Sequence, residues 1–129
     1  MKLVIYNFFI LILVPVFVLR IFVKSFADPD YTKLFLNRFG YNFSEFKQSN
    51  KKIIWFHAVS LGEVIGSQAL INKLAKHFDI VITTSTPTGL RRAKEIFSEN
   101  IIIIYASCDF LVFLNSLLNF YTPDAILIF

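Results

Sequence analysis

The sequence has one cysteine, Cys108, so it holds no internal disulfide and suits a reducing compartment. Glycine and proline number only four each, which excludes collagen-like and low-complexity chains. No Cys/His cluster has zinc spacing, and no acidic group suggests a metal site. There is no GxGxxG fingerprint for a dinucleotide, and the Walker A glycine spacing and lysine are missing. No cofactor is therefore expected. The formal charge of +4 is a small excess. With no recognition helix or aromatic stacking motif beside it, nucleic acid is not an expected partner.

Apolar residues are what the chain has in quantity: 56% of 129 residues, with 16 phenylalanines. Leu3 to Leu19 carry no charge, and Ile21 to Val23 extend the run to roughly the 20 residues that span a bilayer. Asn7 and Pro15 are tolerable in such a helix. A signal peptide would end in a small-residue cleavage site, which is missing, so residues 1–24 read as an uncleaved anchor. Residues 20–52 hold seven basic residues (Arg20, Lys24, Lys33, Arg38, Lys47, Lys51, Lys52) against Asp28, Asp30 and Glu45. The positive-inside rule then puts the remainder of the chain on the cytoplasmic face of the membrane. The same charges suit contact with anionic head groups.

Residues 25–52 read as a short helix and a basic connector. Asp30 is the expected N-cap of a helix through Arg38, ended by Gly40. Tyr41 to Lys52 reads as loop. From residue 53 the rhythm becomes regular. Apolar runs at Ile53–Phe56, Ile80–Ile82, Ile101–Tyr105 and Ala125–Phe129 predict buried strands. Three stripes at helical spacing lie between them: Val64, Leu70, Ile71, Leu74, Ala75 and Phe78; then Leu90, Ala93, Ile96 and Phe97; then Phe110, Leu111, Leu114, Leu117, Leu118 and Tyr121. Strand–helix alternation predicts βαβ units and a parallel, Rossmann-like α/β sheet over residues 53–129.

Three strand-to-helix junctions could carry chemistry, because ligands of open α/β sheets bind at the strands' carboxyl ends. The first, His57-Ala58-Val59-Ser60-Leu61-Gly62-Glu63, places a histidine, a hydroxyl, a glycine and a carboxylate there. Glu63 is a candidate base, or simply a dipole-favoured residue at a helix start. The second, Thr83-Thr84-Ser85-Thr86-Pro87-Thr88-Gly89, is a candidate anion site to which Arg91 and Arg92 could add charge. Equally, Thr86 or Thr88 could be a plain N-cap with Pro87 at the first helical position. The third is Tyr105-Ala106-Ser107-Cys108-Asp109, where Asp109 reads as an N-cap. Cys108 has no base beside it in sequence to lower its pKa.

Ile54 to Val64 and Thr83 to Gly89, with weaker matches at Tyr105, Asp109 and Pro123, resemble the N-terminal half of the Kdo (3-deoxy-D-manno-octulosonic acid) transferases. The resemblance implies one half of a two-domain GT-B glycosyltransferase. It implies that this half takes the acceptor, the phosphorylated and acylated lipid A precursor. The other half takes the donor, CMP-Kdo, and Kdo is transferred with inversion and without a metal. By the same resemblance Glu63 is the general base, Ser60 and Gly62 shape its loop, and Thr86, Thr88 and Gly89 form the acceptor side. In the family a Glu-x-Glu-x-Trp-Pro segment and the donor domain follow the fourth strand. Here the sequence stops at Phe129. The expectation is an incomplete domain at the cytoplasmic face of the cell inner membrane, inactive alone unless a separate C-terminal half complements it. From the residues alone the alternative is a non-catalytic, membrane-anchored module that binds an anionic lipid.

Overall fold

The computed structural model describes residues 2–46, 49–106 and 111–129. Helix α1 runs Lys2–Ser25. Two short 3₁₀ turns follow, Pro29–Tyr31 and Phe35–Phe39. Then come β1 (Ile53–His57), α2 (Leu61–Leu74), β2 (Asp79–Thr84), α3 (Pro87–Ile96), β3 (Ile102–Tyr105), α4 (Leu111–Tyr121) and β4 (Ala125–Ile128). The four strands form one sheet in the order β3-β2-β1-β4. All three pairings are parallel, as the alternation predicts.

Alternation along each strand divides the core into two layers. Ile54, Phe56, Ile80 and Ile82 join Val64 and Ile71 of α2 and Ala93 of α3 in one layer. Trp55, Val81, Ile102 and Ile104 join Leu117 and Tyr121 of α4 in the other, with Phe43 and Phe46 of the connector packed against them. Among its described residues the connector is thus loop, as expected, but its phenylalanines lie half-buried against the core. Tyr121 Oη donates to Ser44 O at 2.8 Å. Burial pushes the Tyr121 phenol well above its usual range.

Two expectations fail. The helix over Asp30–Arg38 does not form. Asp28, not Asp30, caps the first turn, accepting from Asp30 N at 3.0 Å. Leu34 then adopts the left-handed conformation (φ 52°) and starts a separate turn, which a continuous helix could not accommodate. Gly40 ends that turn at φ 75°, as expected. Strand β4 is not buried: all four of its residues are exposed, because among the described residues no helix lies over its faces.

The connector is fastened to α4 and to α1. A Cβ on Gly40 would sit 2.8 Å from Phe113 O and 2.8 Å from Ser116 Cβ, so the turn approaches α4 closely enough to require glycine. Ser116 Oγ donates to Gly40 O. Rings then run in sequence from α1 to α4: Phe22 to Phe35 at 6.0 Å, Phe35 to Phe39 at 5.1 Å and Phe39 to Phe113 at 5.4 Å. Helix α1 is long and apolar enough to cross a membrane.

Candidate functional site

The sheet order reverses between β1 and β4: the chain moves outward from β1 to β2 and β3, then returns to β1's other side. At such a switch point the connections diverge to opposite faces and leave a crevice at the carboxyl ends. The first junction opens directly onto it. Phe129, just past β4, is held there, donating from N to His57 O at 3.1 Å and stacking on Phe56 at 5.8 Å.

Ser60 takes the N-cap position of α2 with extended backbone, and its hydroxyl makes no capping bond. Gly62 lies in the first turn of the helix and is exposed; a Cβ there would meet only Ser60 Oγ, at 4.0 Å. Glu63 turns back toward the strand end, and its Oε2 accepts from Val59 N at 2.5 Å. This is the reach of a capping box displaced by one residue, and it fixes the carboxylate at the rim.

His57 points to the α4 side of the sheet, as Trp55 does. Trp55 Nε1 donates to Thr83 Oγ1 at 2.8 Å, and Thr83 Oγ1 lies 2.9 Å from His57 Nδ1. The same hydroxyl also donates to Phe56 O at 3.5 Å. Half-burial pushes the His57 pKa below its ordinary value, and the nearby Glu63 charge opposes that without reversing it.

The second junction is largely turned inward. Thr83 and Thr84 are fully buried, and Thr84 Oγ1 donates to Val59 O at 3.3 Å. Thr86 caps α3, accepting from Gly89 N at 3.1 Å, with Pro87 at the helix start. Thr88 is exposed and donates to Thr86 Oγ1 at 3.3 Å. A Cβ on Gly89 would sit 2.5 Å from Thr84 Oγ1 and 3.6 Å from Leu61 N. Gly89 therefore lets the starts of α2 and α3 converge on one rim, their positive ends side by side.

Arg91 and Arg92 do not add free charge to this rim. Arg91 pairs with Asp28 at 3.0 Å and Asp30 at 2.5 Å, and Arg92 with Glu95 at 3.1 Å. The Lys33 and Arg91 partners hold the Asp30 carboxyl below the usual carboxylate range. Arg38 is not a surface cation either. It is 5% exposed, its guanidinium 3.9 Å over the Tyr105 ring, and Nη1 and Nη2 each donate to Ser85 O at 3.4 Å. Tyr105 Oη donates to Asp30 O at 2.8 Å, and burial pushes its phenol up to about 12. Charge counting placed Arg38 at the head groups. Its position in Asn37-Arg38-Phe39-Gly40, against a glycine that must sit close to α4, was the only hint of burial.

Lys47, Ser107, Cys108, Asp109 and Phe110 lie outside the described residues, so the third junction carries no assignment. No metal-binding group of His, Cys, Asp or Glu occurs among the described residues. A cavity of about 740 Å³ lies at the opposite pole between Lys51, Phe78, Asp79 and Asn100. It borders the amino ends of β2 and β3, where parallel sheets do not bind ligands.

The family described as 3-deoxy-D-manno-octulosonic-acid transferase (kdotransferase) matches residues 34–129. The 3-deoxy-D-manno-octulosonic acid transferase of Haemophilus influenzae is 30% identical over 121 residues, covering 92% of this chain and 28% of that protein. Its namesake from Rickettsia bellii is 25% identical, with shares of 92% and 29%. That of Chlamydia trachomatis serovar D is 27% identical, with shares of 84% and 26%. The chain thus spans under a third of the length of these curated relatives. No solved structure matches.

Proposed function

We propose a function from one premise: the chain belongs to the 3-deoxy-D-manno-octulosonic-acid transferase family, by its match over residues 34–129. The proposed role is the acceptor half of Kdo transfer in lipopolysaccharide biosynthesis. The donor is CMP-Kdo and the acceptor the lipid A precursor. The observation that carries this reading is Glu63, a carboxylate held at the β1 rim by Val59 N, beside the switch point and in the motif that resembles the family's base.

In this reading Glu63 takes the proton from the attacking acceptor hydroxyl as that oxygen bonds to the sugar and CMP leaves. Oε2 is occupied by Val59, so the proton would go to Oε1. Ser60 and Gly62 border the approach, and Thr86, Thr88 and Gly89 form the adjoining wall. The paired helix starts favour the acceptor's phosphates electrostatically. Helix α1 would anchor the chain in the cell inner membrane with the sheet on the cytoplasmic face, beside its lipid substrate. The donor site would belong to a further half, so the chain alone would not turn over.

Calorimetric titration of the purified chain with the acceptor lipid, then with CMP-Kdo, tests the division of labour. The expected result is binding of the first and not the second; binding of CMP-Kdo alone would overturn it. Glu63→Gln, assayed with the donor half supplied, should lower transfer by roughly 10²–10⁴-fold while acceptor binding persists. Normal turnover would remove Glu63 from the role of base.

A further inference from the structure

Arg38 is joined to Glu63 through two residues, Ser85 and Val59. Its fork donates twice to Ser85 O. Ser85 N donates to Val59 O at 3.2 Å, where Thr84 Oγ1 also donates at 3.3 Å. Val59 N in turn donates to Glu63 Oε2 at 2.5 Å. Val59 is therefore gripped on both sides of its α-carbon, once by the β2 junction and once by the carboxylate. Val59 itself is exposed, and its side chain supplies little packing to hold the backbone.

We propose that Arg38 is a positioning residue for Glu63: by fixing the Ser85 peptide it fixes Val59, and through Val59 N–H the direction of the carboxylate. The proposal rests on Glu63 being the base. Arginine suits the task because a planar fork can put two N–H groups on one carbonyl while its face lies on an aromatic ring. Lysine could cover Tyr105 but could not grip Ser85 twice. The 3.4 Å contacts are individually weak. What they supply is direction, since the Tyr105 ring sets the plane of the guanidinium. The ring is set in turn by its hydroxyl on Asp30 O and Asp30 by Arg91. The segment that follows α1 thereby reaches the reactive rim.

The test is the Val59 amide proton, followed by NMR on the full chain in detergent micelles, with Arg38→Lys, Arg38→Met and Glu63→Gln compared. In the parent chain this proton should resonate downfield because it donates to a carboxylate oxygen; Glu63→Gln moves it upfield and so identifies the signal. In both Arg38 variants the signal should move upfield and exchange roughly tenfold faster, while the amides of Trp55 and Ile82 stay protected. A Val59 amide unchanged in folded Arg38→Lys would overturn the proposal. If Arg38→Met fails to fold, Arg38→Lys decides alone, because it keeps the charge and loses the fork. The amide response is independent of turnover. Normal transfer by Glu63→Gln with a responsive Val59 would sink the base and leave the linkage standing. Lost transfer with an unresponsive Val59 would sink Arg38 alone.

Discussion

Replacing Gly89 with alanine should destabilise the fold, although alanine is the better helix former. The new Cβ would sit 2.5 Å from Thr84 Oγ1 and 3.0 Å from Thr86 Oγ1. Neither hydroxyl can step aside freely. Thr84 is fully buried and bonded to Val59 O, and its branched Cβ restricts rotation. Thr86 caps α3, and losing a cap costs about 1 kcal/mol. Overpacking adds about 1–3 kcal/mol, against a helix-propensity gain of at most about 1 kcal/mol. The net loss is about 1–3 kcal/mol, or roughly 4–8 °C in Tm for each 1 kcal/mol in a domain of this size. Gly66→Ala is the internal control: it lies in the interior of α2, and its new Cβ meets nothing within 4 Å. It should raise Tm slightly. Thermal melts of both variants in the same detergent make the comparison. Equal or higher stability in Gly89→Ala would refute the claim that the starts of α2 and α3 are in contact through this residue.

Other expectations follow from the same geometry. Gly40→Ala should lower stability, because φ 75° and the 2.8 Å approach to Phe113 O both oppose a side chain; cleavage of the connector by added protease should accelerate with it. His57 has a folded pKa below its unfolded value, so the unfolded chain binds the extra proton first. Stability should be constant above about pH 6.5 and fall as pH drops through the folded value. Melts of the parent chain and His57→Gln between pH 5 and 8 check this, and an unchanged slope in the variant would contradict it. Tyr105 works in the opposite sense: its folded pKa, about 12, exceeds the ordinary 10.0. Its contribution should be intact below pH 10 and disappear above it. Tyrosine absorbance should accordingly show late titration from both Tyr105 and Tyr121, with the Tyr105 part lost in Tyr105→Phe.

The sheet was legible because its strands repeat β-branched residues in short runs, and because the helical stripes between them leave room for only one alternation. Thr86-Pro87 was equally legible as a helix start, since both residues act through bonds to their own neighbours. Arg38 and Arg91 were not. Their partners, Ser85, Tyr105, Asp28 and Asp30, lie 47 or more residues away in sequence, and no local pattern encodes such pairings. A count of basic residues treats them as solvated, the ordinary fate of arginine. The two 3₁₀ turns were missed because Leu34 adopts a left-handed backbone that its residue type gives no reason to expect. Exposure of β4 was missed because apolar character shows what a strand would prefer to touch, not whether a neighbour is there.

The run of rings from Phe22 to Phe113 has a mechanical corollary. A helix of 24 residues is about 36 Å long, and its apolar run of roughly 20 residues matches the roughly 30 Å of hydrocarbon in a bilayer, so inside one its lean would follow the local thickness. Because the rings join that rod to α4, a change in lean would be passed on toward the sheet. Lipid thickness would then set the angle at which the β1 edge meets the head-group plane.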